Sequence, residues 1–211
     1  MKYTKINLDQ WDRGELFQFY MEHIRIVMSL TVDVDVTRLI RFTRQSGLNF
    51  YGVMVWTVSK VVNAHDEFKY GWSKGGDLIR WEVISPSYVH FHPEDQRFTK
   101  LFTPFSPDLA SFHAQFLADK EAYRDRRDIL PGQAPNFFDV SCLPWVRYRH
   151  CDLHVFDDGR FLAPVVTWGK YEEEQGRWSM PLTMNLHHAV ADGFHLCRFF
   201  QETQELIDTL A

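Results

Sequence analysis

The residues best suited to chemistry in this chain of 211 residues fall together in Asn185-Leu186-His187-His188-Ala189-Val190-Ala191-Asp192-Gly193. A neutral imidazole near pH 7 can take a proton from a hydroxyl, and a carboxylate four residues on can return toward it. Other readings stand beside that one. A histidine pair is often surface or core filler. His and Asp at this spacing can ligate a metal, although no third cluster of His, Cys or Glu at ligand spacing joins them. A Ser-His-Asp hydrolase is set aside because no nucleophile elbow, the strand-to-helix turn of Gly-x-Ser-x-Gly, is expected.

The surrounding pattern tells what must hold these groups. Positions 179–186 alternate roughly as a strand does, and Phe194, Phe199, Phe200, Thr203, Leu206, Ile207 and Leu210 recur at helical spacing. Gly193 therefore falls at a strand-to-helix turn, where His188 can point into a cleft while the strand fixes its backbone. Positions 26–36 give the clearest strand, apolar at every even position. Asp35 or Thr37 then opens a helix to about Ser46, Gly47 ends it, and 50–64 reads as a second, more buried helix. Near the start, Asp9 is placed to cap a helix carrying Trp11, Leu16, Phe17, Phe19 and Tyr20. Arg13 lies in its first turns, where a cation opposes the helix dipole, so an acidic partner is expected.

Hairpins are expected where 74–77 separates 69–72 from 78–83 and where 93–96 separates 88–92 from 97–102. A helix follows over 107–123 and a loop over 131–135. Strands are expected at 137–142, 152–156 and 163–170, then a hairpin through 172–176 into 178–186. This order predicts an α+β class, with a mixed, largely antiparallel sheet covered by helices.

Composition bounds the function. With 45% hydrophobic and 16% aromatic residues the chain can bury one substantial core, and no polar linker divides it, so residues 1–211 are expected to form a single domain. A net charge of -5 argues against nucleic acid, and the only basic run, Arg124-Asp125-Arg126-Arg127, reads as a solvated helix end. Cys142, Cys151 and Cys197 are odd in number and read as reduced thiols. No leader-like or membrane-length apolar run is present, and a cytoplasmic place is expected.

The pattern His-His-x-x-x-Asp-Gly resembles that of coenzyme-A-dependent acyltransferases. The resemblance narrows through Met1-Lys2-Tyr3-Thr4-Lys5 with Trp11 and Arg13, Ser29-Leu30-Thr31, Asn63-x-x-Asp66-Glu67-Phe68, Ser141-Cys142-Leu143-Pro144-Trp145-Val146, Ala163-Pro164-Val165-Val166-Thr167 and Lys170-Tyr171. With His187 to His195, these run in the order of the type A chloramphenicol acetyltransferase family and cover essentially the whole chain.

The resemblance implies a two-layer sandwich and an O-acetyltransferase that uses acetyl-CoA and no metal to acetylate the primary (3-) hydroxyl of chloramphenicol, conferring antibiotic resistance. His188 would be the general base, Ser141 the hydroxyl donor to the oxyanion, Thr167 the holder of a nearby water, and Asp192 the ion-pair partner of Arg13. Phe19, Tyr20, Phe98, Leu130, Cys151, Leu153 and Val155 would line the acceptor pocket. Leu130 and Cys151 stand where the family usually has phenylalanines, and Lys100 replaces a small residue. Lys170 matches a lysine that reaches a coenzyme A phosphate, while Asn49 stands where a relative has the other. The family implies a homotrimer with active sites at subunit interfaces. Two alternatives are the same chemistry on a different small hydroxyl acceptor and a non-catalytic trimeric binding protein.

Overall fold

The computed structural model describes residues 1–128, 134–153, 155 and 157–211. Its centre is a mixed sheet built on the longest strand, β10 (Arg177–His187). The sheet runs β2 (Val27–Asp35), β10, β8 (Val165–Gly169), β7 (Phe137–Leu143), β5 (Ser85–His92) and β6 (Arg97–Phe102), with the short β9 (Glu172–Glu174) also on β10. β5–β7 and β7–β8 are parallel, and the other pairs are antiparallel. A second, three-stranded sheet, not foreseen as separate, joins β1 (Tyr3–Lys5), β4 (Leu78–Trp81) and β3 (Tyr70–Trp72).

One face of the large sheet lies under helices, as its alternation requires. α2 (Thr37–Ser46) ends at Gly47, whose φ of 71° suits a residue without a Cβ. α3 (Phe50–Ala64) starts at Asn49, whose Oδ1 accepts the Gly52 N–H at 3.0 Å. It is apolar almost all round because α2, the sheet, α4 (Leu109–Ala122) and α5 (Gly193–Thr209) surround it. Gly52 lets the ring of Phe116 on α4 come close; a Cβ there would meet it at 2.8 Å. Val53, Met54, Val55, Val58 and Val62 are fully buried, each such side chain contributing roughly 1.5–3 kcal/mol by its transfer from water.

The other face of β10 is covered by described residues that follow β7, among them Tyr148, Asp152, Leu153 and Phe161. Tyr148 Oη donates to Thr167 O at 2.8 Å and accepts from Thr183 at 3.1 Å, and Asp152 accepts from Asn185. Met180 to His187 are consequently all buried. Pro181 is tolerated in this central strand because β9 pairing ends at Ser179 and β8 pairing begins at Leu182.

Several expectations need correction. Asp9 caps no helix: it lies inside a short 3-10 turn (Leu8–Gln10) that Asn7 caps, and α1 (Gly14–Glu22) begins with Arg13 at its N-cap position. Residues 152, 153 and 155 of the expected strand at 152–156 are not in a strand; side-chain bonds rather than a ladder fix that segment, and 154 and 156 lie outside the described residues. Within the loop expected over 131–135, positions 131–133 are also outside them. Gly71-Trp72-Ser73-Lys74-Gly75 does carry the Gly-x-Ser-x-Gly spacing, but it forms the β3–β4 hairpin turn. Ser73 Oγ there accepts the N–H groups of Gly75 and Asp77, so it is no strand-to-helix elbow.

Among the described residues no helix is long and apolar enough to cross a membrane, and the three cysteines are free.

Candidate active site

The loop from His188 to Asp192 joins β10 to α5 and is held mainly by Arg13. Nη1 and Nη2 of Arg13 donate to the two carboxylate oxygens of Asp192 at 2.6 and 2.7 Å. Its remaining donors reach main-chain oxygens of the loop: Ala189 at 2.8 Å, His188 at 2.7 Å and Ala191 at 3.1 Å. One planar guanidinium thus satisfies carbonyls that a tight loop leaves without strand or helix partners. The acidic partner expected for Arg13 is therefore Asp192. Its carboxyl is held below the ordinary 3.8 chiefly by the hydrogen bond from Arg13, against the opposing effect of partial burial.

His188 is fixed at backbone and ring. Its N–H donates to Ile26 O at 2.9 Å, and its ring stacks on Tyr20 with centroids 4.2 Å apart and planes 13° from parallel. Nδ1 lies 2.9 Å from Ala191 O and 3.4 Å from Asp192 Oδ1, so the carbonyl is the closer partner. A carbonyl only accepts, so Nδ1 carries the proton and a neutral ring has its lone pair on Nε2. Such an imidazole can accept a proton from a hydroxyl. Phe19 packs edge-on against Tyr20 at 5.4 Å.

His195 was not singled out in the sequence. Its Nδ1 accepts the Asp192 N–H at 2.9 Å and its own N–H donates to Asp192 O at 2.9 Å, which closes the start of α5. Asp-x-x-His is the signal, an unusual form of a motif that ordinarily ends in Glu or Gln.

Ser141 lies elsewhere. On β7 it pairs with Thr167 of β8, which pairs with Thr183 of β10. His188 is five residues beyond Thr183, about 16 Å at roughly 3.3 Å per residue, and two strand spacings of about 4.8 Å separate β10 from β7. Ser141 and His188 of one chain therefore stand roughly 19 Å apart, where an oxyanion donor must come within about 3 Å of its target. Thr167 is 1% exposed, and its Oγ1 has no partner among the described residues.

Near Ser141, a cleft of 730 Å³ is lined by Cys142 and Trp168, the residues that follow Ser141 and Thr167 on their strands; by strand alternation Ser141 and Thr167 face the other side of the sheet. That volume suits a small-molecule site. Phe50, Tyr51, Trp145 and Tyr171 give it aromatic walls, and Lys170 lines it. Asn49 borders it too, with its Oδ1 committed to capping α3. Lys120, from α4, is a second cation there that sequence reasoning missed, because no local pattern links it to residue 170.

The other expected pocket residues scatter. Leu153 and Val155 gather with Val27 and His187 around a small cavity. Cys151 is half-buried, which raises its thiol pKa, and its carbonyl accepts from Ser29 at 3.4 Å. Phe98 is exposed on β6, and Leu130 lies outside the described residues. Lys100 forms an ion pair with Asp139, which is two residues from Ser141 on the same face of β7.

The family model for chloramphenicol acetyltransferase matches residues 1–204. Chloramphenicol acetyltransferase 3 of Escherichia coli is 36% identical over 99% of both chains. The chloramphenicol acetyltransferase of Streptomyces acrimycini is 38% identical over 96% of this chain and 93% of that one. A solved chloramphenicol acetyltransferase structure matches with a TM-score of 0.86 at 19% identity, covering 98% of this chain and 100% of that one, a likeness of fold. The chain belongs to the chloramphenicol acetyltransferase family.

Proposed function

We propose that this protein is a type A member of that family that transfers the acetyl group of acetyl-CoA directly to the 3-hydroxyl of chloramphenicol, inactivating the antibiotic. His188 Nε2 takes the hydroxyl proton as the oxygen attacks the thioester carbonyl. Ser141 donates its O–H to the oxyanion, and Thr167 holds a water beside it. Collapse expels the coenzyme A thiolate, and the imidazolium of His188 returns the proton to it. Asp192 relays no proton: its carboxylate is spent on Arg13, which keeps the loop in shape. Coenzyme A occupies the aromatic cleft with its phosphates near Lys170 and Lys120, and the thioester reaches inward to Ser141.

The single observation that carries this reading is the separation of Ser141 from His188. The two serve one thioester only across an interface, which is the arrangement of a homotrimer whose sites lie between subunits. Phe19, Tyr20, Phe98, Leu130, Cys151, Leu153 and Val155 then line the acceptor pocket from two copies. We take residues 1–211 as one catalytic domain acting in the cytoplasm, with resistance to chloramphenicol as its consequence.

The Lys100–Asp139 pair favours a second reading, the same transfer to a more polar hydroxyl acceptor, because it puts charge beside Ser141. Thiol release from acetyl-CoA with chloramphenicol, set against release with other small alcohols, separates the two. Chloramphenicol-dependent release with a mono-acetylated product is expected. Release with another alcohol alone would reassign the acceptor, and tight chloramphenicol binding with no release would leave a binding protein.

A further inference from the structure

Asn185 and His187 lie two residues apart on β10, on the face turned from the helices, and each is 2% exposed. Each has one polar atom with no hydrogen-bond partner among the described residues: Oδ1 of Asn185 and Nε2 of His187. Their other side-chain polar atoms are taken. Nδ2 of Asn185 donates to Asp152 Oδ1; a carboxylate only accepts, so this fixes which end of the amide is oxygen. Nδ1 of His187 accepts the Ala189 N–H at 3.1 Å, so in the neutral ring the proton is on Nε2. The two orphans are thus a donor and an acceptor. Folded proteins rarely leave such a pair dry.

Both residues line one cavity of 20 Å³, walled by Leu153, Val155 and Phe161 and rimmed by Asp157. One water needs about 10–15 Å³. One water with two hydrogen bonds of roughly 2.8 Å joins polar atoms up to about 5 Å apart, and residues at i and i+2, about 7 Å apart at the backbone, meet it when their side chains lean together by about 2 Å.

We propose that this cavity is a site for one buried water, accepting from His187 Nε2–H and donating to Asn185 Oδ1, and that this bridge makes His187 a positioning residue for the loop carrying His188. The bridge stops the ring from swinging, so Nδ1 stays on the Ala189 N–H. Arg13 donates to the Ala189 carbonyl at 2.8 Å, and the residue next to the proposed base is therefore held at both its N–H and its C=O. Burial, which lowers the pKa of His187, keeps the ring neutral and Nδ1 free to accept. The water site stands on geometry alone; the positioning role rests on His188 being the base.

A high-resolution crystal structure of the whole protein tests the site without reference to activity. One ordered water between His187 Nε2 and Asn185 Oδ1 is expected. An empty cavity, or Nε2 bonded directly to Asp157, would overturn it. The positioning role is read from two isosteric variants under the thiol-release assay. His187→Asn keeps an acceptor where Nδ1 stands, and His187→Gln keeps a donor where Nε2 stands. A displacement of the reacting group by about 1 Å costs up to roughly 100-fold. His187→Gln, which loses the acceptor, should therefore lose kcat about 10- to 100-fold with KM nearly unchanged, and His187→Asn, which keeps the acceptor but loses the bridge, about 3- to 10-fold; wild-type kcat in His187→Asn would overturn the part played by the bridge. Equal kcat in the two variants would overturn the positioning role, whereas an inactive wild type with the water in place would count against the proposed function only.

Discussion

Arg13 and Asp192, 179 positions apart, meet in a two-point ion pair at 2.6 and 2.7 Å. The same guanidinium holds three carbonyls of the loop between His188 and Asp192, so the pair shapes the site rather than only joining two elements. Arg13→Ala should destabilise the protein by on the order of 2–3 kcal/mol, less than the roughly 3–5 of a fully buried pair because solvent reaches Asp192. Arg13→Lys should restore little, since an ammonium cannot fork. Thermal unfolding and thiol-release rates check both, and an unchanged melting temperature in Arg13→Ala would speak against the clamp.

The pair also fixes a pH dependence. Arg13 lowers the Asp192 carboxyl below 3.8, so its stabilisation is complete above pH 3.8 and fades as pH falls through the depressed value. Asp192→Asn lacks that contribution. The stability gap between wild type and Asp192→Asn should be constant from neutral pH down to about 4.5 and narrow below about 3.8. Unfolding midpoints measured across that range would show it, and a gap that widened in acid would contradict the assignment.

His188→Ala should lower chloramphenicol-dependent thiol release by about 10²–10⁴-fold, the range for loss of a general base, with the oligomer unchanged in sedimentation. A rate near wild type would remove His188 from the mechanism.

Lys120 and Lys170 should act on binding rather than on chemistry. Either changed to Ala should raise the KM for acetyl-CoA by roughly tenfold, about 1.4 kcal/mol for one lost charge-assisted contact, with kcat little changed. Steady-state kinetics with acetyl-CoA varied would decide it; an unchanged KM in Lys120→Ala would leave Lys170 as the only cation of the cleft needed for binding.

Local pattern made much of the fold legible. The alternation behind β2, the glycine at 47 and the apolar run of α3 are written within a few residues of where they act. The failures share a cause in long-range contacts. Asp9 has the right type for a cap, but Asn7 starts the turn and the helix begins only where Arg13 is drawn to the loop 179 residues away. The segment at 152–156 has strand-like composition, yet side chains of β2 and β10 hold its described residues instead of a ladder. At the site, the unfavourable helix dipole at Arg13 calls for an acidic partner, and only family resemblance points to Asp192. Lys120 and the Lys100–Asp139 pair come together through tertiary packing, which no sequence spacing records, whereas His195 has a local signal in Asp-x-x-His.

If His188 of one subunit and Ser141 of the next serve one thioester, two inactive variants should complement each other in a mixed oligomer. His188→Ala and Ser141→Ala proteins, each nearly inactive alone, are unfolded together and reassembled into mixed oligomers. A shared site predicts chloramphenicol-dependent thiol release rising to about a quarter of the wild-type rate, because random mixing around a closed ring gives that share of interfaces both native residues. Mixed oligomers of confirmed composition that remain as inactive as the parents would contradict the account.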